Sequence, residues 1–340
     1  MNLMAEHILT SRVDLIDTQG NLIEPGFAKK PLWRYNRDHL KAPRWRVKEW
    51  DYYLINNGNI AVAFTMSDLG YARMASVSFL DLVNREDHTK TVLSRPSVHF
   101  SMPDNSANGH SHFAAKDMVL DYQSDGATRK VRCYFKDFEN GNDFRASLTF
   151  QDFPAESMNI LTPWEDRKHF YLNEKVNNMK VSGTVIFNKQ VYRFTPETTC
   201  GILDWGRGYW PYKSRWYWGT GSDMVNGKPV GLNLGYGFGD LSLASENVLF
   251  LDGKVHKLGR VNFEIPEDPM QPWTITSSAN TIEGIFTPVL DRKADINLKI
   301  IRSNQNQYFG FFDGKAKTEQ GNVVEFNNFP CSFEDIINQY

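Results

Sequence analysis

The sequence has little of several things at once, and each lack removes a class of protein. Cysteine occurs three times in 340 residues, as Cys133, Cys200 and Cys331. The three are far apart, odd in number and without metal-ligand spacing, so they read as reduced thiols rather than a disulfide framework. Charge of neither sign is in excess, with 38 Lys and Arg against 40 Asp and Glu. A nucleic-acid-binding domain carries a basic surplus, so no nucleic acid is expected as a partner. No apolar run approaches the ~20 residues of a membrane helix. Met1-Asn2-Leu3-Met4 begins neither a basic nor an apolar leader, and a cytoplasmic location is expected. Glycine-rich phosphate loops, a GxSxG elbow and an HExxH motif are absent, so no cofactor and no metal is expected. Helical periodicity is scarce as well. Only Ser332–Tyr340 reads as a short terminal helix, with Ser332 as its N-cap.

Aromatic residues, in contrast, make up 14% of the chain, with 9 Trp, 14 Tyr and 23 Phe. They fall in short alternating segments separated by turn dipeptides. In 230–239 every even position is apolar and every odd one is Gly or Asn. Period two means a strand, here with one bulky and one bare face, the bare one open to a ligand or a packed element. Asn57-Gly58, Asn140-Gly141, Asn226-Gly227, Asp252-Gly253 and Asp313-Gly314 lie between such runs and suit hairpin turns. Many short strands at close spacing predict an all-β sandwich or barrel.

The order aromatic cluster, Asn-Gly turn, alternating strand, LGY, FLD occurs twice. It starts at Trp50 and again at Trp216, an offset of about 170 residues or half the chain. Two similar β domains are therefore expected, 1–196 and 197–340.

The densest chemistry is the segment 200–212, CGILDWGRGYWPY, which runs on into Arg215-Trp216-Tyr217-Trp218. Two readings stand side by side. Asp204 and Arg207 form a structural ion pair on a backbone bent at Gly206 and Gly208, since burying either charge alone would be costly. Alternatively the aromatics Trp205, Tyr209, Trp210, Tyr212, Trp216 and Trp218 line an apolar pocket with Arg207, and Asp204 is its proton donor. Glu246 and Asn247, before the strand 248–251, are a second candidate acid and a ligand-binding amide. Asn233 on the bare face of 230–239 and Trp164 in Trp164-Glu165-Asp166-Arg167-Lys168-His169 complete the ligand-binding set. Asp166 and Arg167 are candidates for an inter-domain cleft. His110 and His112 share a face of an extended chain, but the surroundings read as an exposed loop with no carboxylate at ligand spacing. His256, after a turn, is expected to be exposed. The basic and aromatic residues between Lys29 and Trp50 read as a solvated face, with peripheral membrane contact as the second choice.

The DWGRGYWPY segment resembles the domain-of-unknown-function 2804 family. So do Asn233-Leu234-Gly235, the 246–257 stretch ENVLFLDGKVHK, Pro163–Arg167 and Ser182–Val185. The similarity runs from about Pro25 to about Cys331. It implies paired lipocalin-like barrels of the kind seen in carotenoid hydratases, pericyclase-type and tocopherol cyclase-type enzymes, and it carries no established activity. The resulting expectation is two side-by-side barrels binding a bulky hydrophobic small molecule, such as a lipid or isoprenoid. The alternatives are an acid-catalysed hydratase, isomerase or cyclase using Asp204 or Glu246, and a carbohydrate-binding or carbohydrate-active β protein.

Overall fold

A computed structural model describes residues 6–96, 98–298 and 301–339, with the side chains of 295–298 and 301–303 left undescribed. The described residues are all-β, in two large curled sheets that form two lipocalin-like barrels side by side, with a small two-stranded sheet of Val13–Asp14 and Trp33–Arg34 beside them.

The first sheet begins as a meander of Val47–Asn56, Ile60–Asp68, Arg73–Asp81 and Glu86–Ser94. Its opening strand pairs with Cys200–Tyr209, which pairs with Phe170–Phe187. From there the sheet runs back through Asn142–Gln151, Arg129–Glu139, Met118–Asp125 and Asn108–Ala115 to His99–Ser101. The second sheet repeats the plan. Lys213–Val225 opens a meander with Lys228–Tyr236, Val248–Leu251 and Lys254–Lys257, and pairs on its other side with Val323–Gln339. The repeated sequence order thus marks the same hairpin in each sheet: 47–68 in one, 213–236 in the other. The chain changes sheet between Tyr209 and Lys213, after the break expected at 196. The signature strand closes the first sheet rather than opening the second.

Strands with one wet face alternate cleanly. In Arg129–Glu139, Val131, Cys133 and Phe135 point into the first barrel while Lys130, Arg132 and Tyr134 are exposed. Strands between the barrels are buried on both faces, as Val47–Asn56 and Cys200–Tyr209 are nearly throughout. Three apolar clusters follow. One fills the first barrel around Phe64, Phe144 and Phe150, and one fills the second around Trp273, Phe286 and Phe333. The third lies in the seam between them, around Tyr171, Trp210, Trp218, Phe238 and Phe250.

The seam is registered by a bulge. Strand Phe170–Phe187 slips register between Val176 and Met179, and Asn178 takes φ +66°. The Asn177 amide donates to Thr220 Oγ1 (3.2 Å), Gly221 O (3.0 Å) and Leu232 O (3.2 Å). Asn178 N–H donates to Ser222 Oγ (2.7 Å), whose hydroxyl donates back to Asn178 Oδ1 (2.6 Å).

Local expectations fare unevenly. The Asn140-Gly141, Asn226-Gly227 and Asp252-Gly253 pairs all have positive φ at both residues, as type I′ turns require. Asp313-Gly314 is no turn: it sits inside strand Ile301–Lys317 at a register shift. The terminal helix is absent too. Residues 332–339 continue strand Val323–Gln339, because pairing with Lys213–Val225 and with Ile301–Lys317 satisfies the backbone on both sides; Tyr340 lies outside the described residues. The three cysteines are free and buried. Among the described residues no helix is long and apolar enough to cross a membrane.

Candidate functional site

Period two sorts the signature strand onto two faces. Even positions from Ile202 look into the seam, and odd positions from Leu203 look into the first barrel. Asp204 and Arg207, three apart, therefore point in opposite directions and do not pair. Asp204 accepts from Asn173 Nδ2 (2.6 Å) and binds Lys175 Nζ at 2.7 Å. The Lys175 ammonium also sits 3.9 Å from the centre of the Trp218 ring. Arg207 is fully buried at the other face. It donates to Asp51 Oδ1 (3.0 Å), Trp50 O (2.8 Å) and Pro103 O (3.1 Å), and its guanidinium stacks 4.1 Å from Trp205. It belongs to a charged plug with Glu49, Tyr35, Arg37 and Asp68.

The glycines beside Arg207 do not bend the backbone. Neither has positive φ, and both lie in extended strand. They leave room on the seam face: a Cβ on Gly206 would sit 2.1 Å from the Trp50 indole, and one on Gly208 2.4 Å from Trp210 Nε1. Gly231 and Gly235 serve the same purpose across the seam, against Asn178 and the Glu246 carboxyl. The bare face of 230–239 is thus met by a packed element.

Glu246 lies in this seam, 1% exposed, and neither carboxyl oxygen has a hydrogen-bond partner. Asn233 accepts from Trp218 Nε1 (2.7 Å) and gives its amide to the Glu246 backbone carbonyl (2.9 Å). Burial pushes the Glu246 carboxyl up to about 7, with Lys175 opposing and Asp204 adding to the rise. Asn247 accepts from Gly235 N–H (2.7 Å) and so holds the loop to the strand. Glu334, from the segment expected to be helical, joins the cluster. Gln307 donates to it at 2.7 Å, and burial raises it to about 7 against Arg292 and Lys175. Lys175 and Glu334 escaped the sequence reading. The signal for the first was a Glu-Lys pair in the middle of a long strand; the second was hidden by an assumed helical period.

The remaining candidates gather around a cleft of about 980 Å³ at one end of the seam. Trp164, Tyr209 and Tyr212 line it together with Arg46, Asp166, His169 and Arg260. Trp210 lies behind this wall, within 5.1 Å of both Trp164 and Trp216 by ring centres. His169 stacks on Tyr209 at 4.2 Å. Its Nδ1 is 2.5 Å from Asp166 Oδ2, while Asp166 Oδ1 accepts the N–H groups of Lys168 and His169 at 3.0 Å each. Partial burial works against it, but these bonds hold the Asp166 carboxyl below its ordinary value. His169 Nε2 has no protein partner. Arg167 does not line the cleft, nor do Asp204 and Glu246. Trp205 instead lines a separate cavity of about 440 Å³, with Trp33, Asn173 and Glu174.

Two further expectations change. Asn108 and Gly109, read as loop, already belong to the strand Asn108–Ala115 that carries His110 and His112, while 105–107 lie outside it. His256 is partly buried in strand Lys254–Lys257. Much of the charge between Lys29 and Trp50 is used within the chain: Lys29 pairs with Glu156, Arg37 with Glu49 and Asp68, and Arg44 with Asp38. Arg46 donates to Trp210 O (2.7 Å).

Fold and site together define a two-barrel, all-β protein with a cleft at the barrel junction. The chain belongs to the family described as Domain of unknown function (DUF2804), whose family model matches residues 6–340. No curated protein matches it. Among solved structures it is similar to a protein described as an AttH candidate from Nitrosomonas europaea, at 11% identity and TM-score 0.49, covering 86% of this chain and 92% of that one. It is also similar to CghA, at 10% identity and TM-score 0.49 over 86% and 88% of the two chains. For kievitone hydratase from Nectria haematococca the identity is 11% and the TM-score 0.44, over 86% and 88%.

Proposed function

We propose that the protein binds a ring-bearing, amphipathic small molecule in the cleft at the barrel junction. The cleft itself supports this reading. Its volume of about 980 Å³ is at the upper end of small-molecule sites, which span about 300–1,000 Å³. Trp164, Tyr209 and Tyr212 offer flat apolar surface, and Arg46, His169 and Arg260 stand beside them. A pure hydrocarbon would desolvate Arg260, Glu165 and Asp240, which also line the cleft, and replace none of their contacts with water. A hydrophobic body with a hydroxyl, enol or carboxylate edge matches both halves.

A second reading, turnover in the same cleft, is favoured by the Asp166–His169 pair. Asp166 Oδ2 lies within hydrogen-bond distance of His169 Nδ1, and Nε2, buried at the cleft wall without a protein partner, is the atom that would pass a proton in general acid–base catalysis once a ligand meets it. In this reading His169 replaces the expected donors. Asp204 is committed to Lys175 and Asn173, and Glu246 is enclosed in the seam. A proton shift within an unsaturated ligand needs a group that takes a proton from one carbon and returns it to another, the role this reading gives His169.

The test is mass spectrometry of small molecules extracted from gently purified protein, followed by fluorescence titration of the compound found. Trp164→Ala should weaken binding about tenfold or more. His169→Gln should leave binding in place and abolish any conversion. Protein that stays empty and ignores a panel of hydroxylated aromatics and isoprenoid acids would sink the binding reading. Conversion that survives His169→Gln would sink the second.

A further inference from the structure

The outer face of the first barrel carries another group of chemistry-bearing side chains, remote in sequence from the cleft residues. His110 and His112 are two apart on strand Asn108–Ala115, and Ser111 between them points inward and is buried. Both imidazoles therefore project from the same outer face. Asp121, on the neighbouring strand Met118–Asp125, is in register with His112. Asp121 Oδ1 lies 2.7 Å from His110 Nε2 and 2.7 Å from His112 Nδ1. The three ligand atoms lie within 4.8 Å of one another. The carboxylate missing from the linear spacing is thus supplied across the sheet.

We propose that His110, His112 and Asp121 form a binding site for a divalent transition-metal ion, with Zn²⁺ the ion to which we commit. Two imidazoles and one carboxylate are a donor set that Zn²⁺ takes, and they leave a position for water. Ladder register fixes all three backbones, so binding orders no loop. The side chains are 48%, 30% and 23% exposed, which admits the ion and its waters. One Asp121 oxygen serves both imidazoles at once. Bonds of about 2.0–2.1 Å in a tetrahedron separate ligand atoms by about 3.3 Å. The nitrogen–oxygen pairs need to open by about 0.6 Å and the two nitrogens, within 4.8 Å of each other, to close by up to about 1.5 Å, within reach of side-chain rotation at exposed positions. Arg132 is exposed and in register with Asp121 on the next strand, and its charge opposes the cation.

The experiment is isothermal titration of the full chain with Zn²⁺, and with Co²⁺ followed in the visible spectrum. One equivalent should bind, with Co²⁺ absorption reporting a low-coordinate nitrogen and oxygen site. His112→Ala and Asp121→Asn should each weaken binding about tenfold or more. Arg132→Ser should tighten it. His88→Ala is the control, since that imidazole sits between Glu86 and Glu139 elsewhere on the barrel, and binding should be unchanged. Far-UV circular dichroism of each variant verifies the fold. The proposal is overturned if the wild type takes up no stoichiometric ion, if His112→Ala binds as well as wild type, or if His88→Ala abolishes binding.

Discussion

Replacing Glu246 by Gln separates a buried acid that has a cost from one that stabilises the seam. The carboxyl is enclosed, lacks a hydrogen-bond partner and is raised from 4.5 to about 7. A raised acid binds its proton more tightly in the folded chain than in the unfolded one. Between about pH 4.5 and about pH 7 the native state therefore holds more protons, and stability falls as pH rises through that window. At about 1.4 kcal/mol per pH unit, the full cost above pH 7 is about 3 kcal/mol. Gln keeps the shape and carries no charge to desolvate. The variant should match wild type within about 1 kcal/mol near pH 5 and exceed it by about 2–3 kcal/mol near pH 9. Urea unfolding across that range measures the difference. Glu334 also rises to about 7 and has the same sign, but it is present in both proteins, so its slope cancels in the comparison. Parallel curves would refute the argument. A variant less stable at high pH would mean that ionised Glu246 is a net stabilising partner of Lys175.

Two further substitutions test the seam. Gly206→Ala places a methyl 2.1 Å from the Trp50 ring, which is held by Tyr171 and Trp210 at ring distances of 6.1 and 6.0 Å. We expect a loss of about 2 kcal/mol or more and an altered near-UV spectrum from the indoles, and an unchanged melting temperature would contradict it. Asn177→Ala removes one amide's bonds to Thr220, Gly221 and Leu232 and leaves buried acceptors unmet. That should cost about 2–4 kcal/mol in urea unfolding, and a change under about 0.5 kcal/mol would show the bulge to be incidental.

The sequence by itself determined the strands, most of the hairpins and the repeated plan, because alternation and turn dipeptides act over a few residues. Asn226-Gly227 and Asp252-Gly253 turn as expected, since Gly, Asn and Asp adopt positive φ more readily than other residues. Alternation also held the information that Asp204 and Arg207 face opposite ways. The glycines around Arg207 suggest a bend instead, whereas they make room for Trp50 and Trp210, which only the packed seam reveals. The tertiary structure alone decided which ionisable groups meet. Lys175, Asp204, Glu246 and Glu334 come from strands and a loop spread over 160 residues, and no local pattern encodes their meeting. Likewise Asp121 reaches His110 and His112 through register, not through sequence spacing. The terminal segment shows the same limit: an N-cap and an acidic first turn favour a helix locally. Two neighbouring strands offer 332–339 a complete set of backbone partners, and that outweighs the propensity.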